Sequence, residues 1–279
     1  MTSRSLSFGL SVSMLPLMAS CAIGSQPDDA APLQGEIEKT EIIMGDGEIV
    51  GDQLKPYDFT WNQCTYQDGE WVNGPPVRET LEIRSDGQFE LSQFSSAPDG
   101  EQTVITHVLD ARSLRRTELI QKVKTPDGVE LGSTRLTFSS DGFTVKVGDE
   151  ERPGGSISSN MYDGAYLGLP LSTVDYSDGG FALDAAMLAV QGTYRVEAFP
   201  MGVETIALVN GSANAQRVDV WWLHHESGDI YEPGPDGSGG RYWLLTTPQT
   251  DLPRVLAYKT DTYAIEYSPM TCDTEQNAQ

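Results

Sequence analysis

The chain has 279 residues, with 41 acidic against 18 basic side chains and a formal net charge of −23. That excess of carboxylates excludes most nucleic-acid roles, which need clustered Lys and Arg against phosphate. It also disfavours docking on anionic lipid heads through a basic patch. The length suits one large β domain whose core needs no dense metal or disulfide support.

Residues 1–20 hold one basic side chain, Arg4, no acid, and an apolar stretch from Leu6 to Met18. This is the n-region and h-region of a signal peptide, too short for a permanent membrane span. The run Leu17-Met18-Ala19-Ser20-Cys21-Ala22 resembles the lipobox of bacterial lipoproteins, with Met18 where Leu is usual. The resemblance implies cleavage before Cys21 and acylation of its thiol, so that a lipid anchor holds the protein to a membrane. Ala22 stands where an Asp commonly retains such proteins at the inner membrane, which implies the outer membrane and a periplasm-facing domain. Ordinary secretion, with cleavage near Ala19 or Ala22, is the alternative.

Residues 21–54 then read as the acylated Cys and a flexible tether, because 22–35 carry almost no large apolar groups. A short strand is predicted within Glu41–Val50, interrupted at Gly45-Asp46-Gly47. Two cysteines remain, Cys64 and Cys272. In an oxidising compartment the pair reads as one disulfide that staples the first strand of the domain to the last. Two unpaired buried thiols are the alternative.

Residues 55–272 read as a single β-rich domain, followed by a disordered tail at 273–279. Asp-Gly recurs between alternating runs, at 68–69, 86–87, 127–128 and 141–142 among other places, which is the strongest local hairpin signal. Strands are predicted at 80–85, 88–94, 114–124, 129–138, 143–147, 193–199, 203–209, 213–225, 241–246, 254–259 and 262–267. The fold class is all-β: a curved antiparallel meander forming a half-barrel or barrel. One short buried helix is expected near 181–190, apolar on every face but that of Asp184, with Asp178 as its cap and Gly192 after its end. The Gly- and Ser-rich stretch 148–180 reads as a connector within the one domain.

The C-terminal half contains Val196–Ile206 with Gly202 and Glu204, then Gly211, Ala215-Gln-Arg-Val-Asp-Val-Trp221, Tyr242-Trp243-Leu244 and Leu252-Pro253-Arg254-Val255. In this order the segments resemble a β-rich bacterial envelope family of unknown function, distantly similar to the half-barrel lipoprotein carriers of the periplasm. Val108-Leu-Asp-Ala-Arg-Ser-Leu114 resembles a turn that such domains carry in their first half. The similarity spans about residues 55–268 and brings no catalytic residues with it.

The residues themselves offer no catalytic constellation. The chain lacks nucleophile elbows, zinc-protease and phosphate-loop patterns, so no catalytic residue, metal site or cofactor is assigned. His224 and His225 are adjacent, and on a strand they point to opposite faces and cannot chelate one ion. The last third is rich in Trp and Tyr. Alternation places Val218, Val220 and Trp222 on one face, and Tyr263 and Tyr267 on one face of the last strand. These residues with Trp243 are the candidate lining of an apolar ligand cavity, the other reading being a packed core. Two functions follow as expectations. One is an outer-membrane-anchored lipoprotein that binds an apolar ligand such as lipid. The other is a structural or assembly lipoprotein that presents a surface to another envelope protein.

Overall fold

A strand of alternating residues joined to the next by a tight turn is the repeating unit of this chain. The computed structural model describes residues 39–188, 192–208, 211–231, 239–249, 252–260 and 263–267, the last stretch by its backbone. The first run comprises β1 (Lys39–Glu41), β2 (Tyr57–Gln67), β3 (Glu70–Asn73), β4 (Val77–Ile83), β5 (Phe89–Ser96), β6 (Gln102–Leu109), β7 (Arg116–Lys124), β8 (Glu130–Ser139), β9 (Gly142–Val147) and β10 (Glu150–Gly155). A crossing segment then carries β11 (Tyr162–Asp163) and the single-turn helix α1 (Gly168–Leu171). The second run comprises β12 (Gly180–Met187), β13 (Gly192–Leu208), β14 (Gly211–His224), β15 (Ile230–Tyr231), β16 (Gly240–Leu245), β17 (Val255–Lys259) and β18 (Tyr263–Tyr267).

From β4 to β10 each strand pairs antiparallel with the next, and β2 pairs with both β3 and β4. The second run is likewise antiparallel. Strand β18 joins β2, with Ala264 opposite Cys64. The two runs therefore form one curved belt. Among the described residues no pairing joins its far ends, β10 and β12, so it curls without closing. The turns behave as the Asp-Gly signal demands. At Asp68-Gly69 both residues have positive φ, 51° and 91°, as a two-residue hairpin turn requires.

Directly paired residues share a face. The inner face accordingly carries Leu81, Leu91 and His107 in one row, and Val218, Val220 and Trp222 on the other side of the belt. The crossing segment fills the space between them. Tyr162, Tyr166, Leu167, Leu169 and Leu171 are all buried in the main core, each leucine contributing roughly 1.5–3 kcal/mol.

Four expectations change. Residues 181–190 do not begin a helix: Gly180–Met187 is strand β12. Phe181, Leu183, Ala185 and Met187 face the main core, while Ala186 on the opposite face packs with Leu119, Phe138 and Ile157. Only Asp184 is exposed. A strand covered on both faces is apolar throughout and carries the same signal as a buried helix. Pairing with β13 on one edge and with β1 and β11, in parallel, on the other overrides the helix propensity of its alanines. The stretch 148–180 is a wall and a core filler more than a connector. The domain also starts before residue 55. Ile42, Ile49 and Leu54 are buried in the core, and β1 is tied to β13 by Lys39–Glu197 at 2.7 Å and by the two-point Arg195–Glu41 pair at 2.8 and 2.6 Å. The predicted strands 193–199 and 203–209 are parts of the single strand β13, Gly192–Leu208.

Candidate functional site

Strand β2 turns Tyr57, Phe59, Trp61 and Gln63 toward the inside of the belt, at every second position as strand geometry requires. Its neighbours add Val77 and Glu79 from β4 and Leu91 and Gln93 from β5. The crossing segment brings Tyr166 and Leu169 over this surface, and Tyr242, Val255 and Tyr258 close it from β16 and β17. Together they leave a pocket of about 80 Å³. Its rings lie at angles to one another. Phe59 meets Trp61 edge-on, with centroids 4.6 Å apart, and Tyr242 tilts on Tyr258 at 4.6 Å. Gly168 permits the approach of α1, because a Cβ there would lie 2.7 Å from the Tyr242 ring.

Glu79 is the charged group of this wall, and it is buried. Tyr57 Oη donates to its Oε1 at 3.0 Å and Gln93 Nε2 to its Oε2 at 2.7 Å. Burial raises its pKa above the usual carboxylate range, and the hydrogen bonds from Gln93 and Tyr57 offset this only in part. Tyr166 Oη, buried at the same pocket, has no hydrogen-bond partner among the described residues.

Beside the pocket lies a second buried polar group. Arg116, on β7, donates through Nη1 to Asp163 Oδ2, and both side chains are almost wholly buried. His107 Nδ1 is 3.5 Å from the same oxygen, and Ala165 N donates to Oδ1 at 2.9 Å. The guanidinium also sits 3.9 Å from the Phe138 ring centroid, a cation–π contact that takes up part of its charge. Burial opposes ionisation of Asp163, but the Arg116 charge and the His107 ring prevail and hold its carboxyl down at about 2. This cluster ties the crossing segment to β6 and β7. A shallower hollow of about 270 Å³ lies at the ends of β5 and β6, where Arg78 is engaged by Asp58 at 2.8 and 2.6 Å.

Val218, Val220 and Trp222 share the inner face as alternation predicts, but they are packed into the filled core and none borders the pocket. Trp243 lies on the opposite face, where its Nε1 donates to Glu204 at 2.8 Å. The register sets Tyr263 opposite Thr65 and Tyr267 opposite Trp61, while their side chains lie outside what is described. The aromatic lining that the pocket does have comes mainly from β2, with Tyr242 and Tyr258 from the last third. Glu79 was detectable in principle as a charge at an inward position between Val77 and Leu81. Nothing local marks Asp163, which sits in an Asp-Gly pair that reads as a turn.

His224 and His225 diverge: His224 accepts from Ser227 N at 3.1 Å, and His225 Nε2 is 3.1 Å from Asp184. Among the described residues, no three His, Cys, Asp or Glu side chains are grouped to hold a metal ion. Cys64 is fully buried and disulfide-bonded. Its predicted partner Cys272, like Cys21, lies outside the described residues.

No family model matches the chain. No curated protein matches it either. Among solved structures it is similar to a crystal structure described as a beta-barrel-like protein of a domain of unknown function from Brucella abortus, with 7% identity and a TM-score of 0.42 over 80% of this chain and 100% of that one.

Proposed function

We propose that this chain is a non-enzymatic envelope lipoprotein, anchored in the outer membrane through acylated Cys21 and facing the periplasm, whose β domain holds one end of an apolar ligand in the pocket beside Glu79. The observation that carries the binding half is the pocket itself, where aromatic side chains from separate strands converge around a single buried carboxyl group. At about 80 Å³ it falls well below the ~300–1,000 Å³ of sites that enclose a whole small molecule. It suits one end group of a ligand such as a lipid, with the remainder outside. The anchoring half rests on the lipobox resemblance of Leu17-Met18-Ala19-Ser20-Cys21-Ala22.

Native mass spectrometry of the purified domain tests the binding. The expected result is a retained small-molecule mass that disappears when Val255→Trp fills the pocket, in a protein that still unfolds in one cooperative transition. A retained mass indifferent to that substitution places the ligand elsewhere. Cys21→Ser is expected to release the full-length protein from membranes, since stable attachment takes more than one acyl chain. A variant that still fractionates with the outer membrane removes the anchor from the proposal. The second reading, a surface for another envelope protein, is favoured by Val129 and Leu131, exposed together where β7 turns into β8.

A further inference from the structure

We propose that the pocket beside Glu79 receives a small alkylated ammonium group, the cation of a choline-type headgroup or solute; this rests on the pocket being the binding site. Three features of the site point to that chemistry. Glu79 is buried, yet its partners Tyr57 and Gln93 are neutral. No Lys or Arg among the described residues forms an ion pair with it. The base that acts on it is the His107 imidazole, which also lies 3.5 Å from Asp163. A carboxylate taken out of water without a permanent counter-charge of its own is unfavourable, and a bound cation supplies one. The fold does provide a counter-charge nearby, at Asp163 with Arg116, so the omission at Glu79 is local.

The surrounding surface is aromatic. Tyr57, Phe59, Trp61, Tyr166, Tyr242 and Tyr258 line the pocket, and the first three follow one another at 4.8 and 4.6 Å between centroids. Ring faces carry negative potential and attract cations, and cages of this kind suit methylated ammonium groups. Such groups also shed water more readily than a bare ammonium. Space sets the third limit. About 80 Å³ accepts a compact end group of a few heavy atoms and not an acyl chain. The chain's net charge of −23 adds a long-range field that draws cations toward the molecule.

Calorimetric titration of the purified domain with choline, and with dimethylbutanol as its uncharged carbon isostere, tests the proposal. Choline is expected to bind at least about tenfold more tightly, a difference of ~1.4 kcal/mol. Glu79→Gln should erase that preference while leaving the unfolding midpoint in place. Phe59→Leu supplies a second variant, weakening choline more than the isostere. Equal affinities for choline and its isostere would overturn the ammonium assignment and leave the apolar pocket standing. Binding of neither would overturn both. A preference that survives Glu79→Gln would also overturn the assignment. Phosphatidylcholine vesicles that displace choline, where phosphatidylglycerol vesicles do not, identify a membrane headgroup as the source. Failure of both vesicles to displace it identifies a free solute, and the ammonium chemistry holds in either case.

Discussion

Asp163 and Glu79 are both buried carboxyl groups, yet the protein treats them in opposite ways. Asp163 has the Arg116 guanidinium against it, and its pKa falls to about 2. Glu79 accepts from one hydroxyl and one amide among the described residues, and burial pushes its pKa up. Breaking a buried ion pair by removing one partner leaves a charge stranded. A buried carboxyl among neutral donors is a site whose charge is still uncompensated. The first is a lock between the crossing segment and the belt. The second is a position built for something to arrive.

The largest effect expected from this contrast is at the lock. Asp163→Ala leaves the Arg116 guanidinium buried with Phe138 as its main remaining contact. Loss of one partner from such a pair costs about 3–5 kcal/mol. Urea unfolding should show a much lower midpoint at unchanged slope. A loss below about 1 kcal/mol would mean that water reaches Arg116 and that the pair is not a lock.

Acid should separate the two groups by sign. The folded pKa of Asp163 lies below its ordinary 3.8, at about 2. Its contribution is therefore complete above the ordinary value and is lost as pH falls toward the folded one, about 2 kcal/mol in all. Glu79, with its folded pKa raised, contributes stability that is present below its ordinary value and lost as pH rises through the folded one. The wild type should thus gain stability relative to Glu79→Gln as pH falls from neutral to the ordinary glutamate value, 4.5, and in stronger acid both proteins should show the same loss from Asp163. Profiles that already run parallel between neutral pH and the ordinary glutamate value would remove Glu79 from the balance.

The sequence shows the belt more clearly than the site. Alternation and Asp-Gly turns predict most of the strands because both are local signals, set by the pleat and by positive φ. The inner-face assignment of Val218, Val220 and Trp222 follows from the same alternation. What alternation cannot reveal is which part of that face is left open, since this depends on where the crossing segment lands. Tyr166 and Leu169 cover β2 through contacts between residues far apart in sequence. Strand β12 was hidden for a related reason, its coverage on both faces being a property of the folded chain. The pocket sits on the first half of the belt because residues 148–180, read as a connector, fold inward there.

A smaller effect is expected at Gly168. A Cβ at this position would stand 2.7 Å from Tyr242 Cε1 and 3.1 Å from Val255 Cγ2. Both neighbours line the pocket, so Gly168→Ala should shift the Tyr242 ring and narrow the space. The cost is about 1 kcal/mol, the low end for overpacking, with a larger fractional loss of choline binding. Unchanged binding would place the ligand away from the Tyr242 wall.

The smallest effect on stability is expected at Glu79 itself, and it sharpens the contrast most. Glu79→Gln keeps the shape of the side chain and an oxygen for the Tyr57 hydroxyl, and the Gln93 amide can turn over to face the new amide. The substitution removes a charge that has no buried counter-ion, so at neutral pH stability should stay within about 1 kcal/mol of the wild type and on the stabilising side. The same removal of charge at Asp163 is costly because a cation is left behind. If Glu79→Gln instead destabilises by the ~3–5 kcal/mol expected for Asp163→Ala, Glu79 is itself part of a lock, and the difference between the two carboxyl groups disappears.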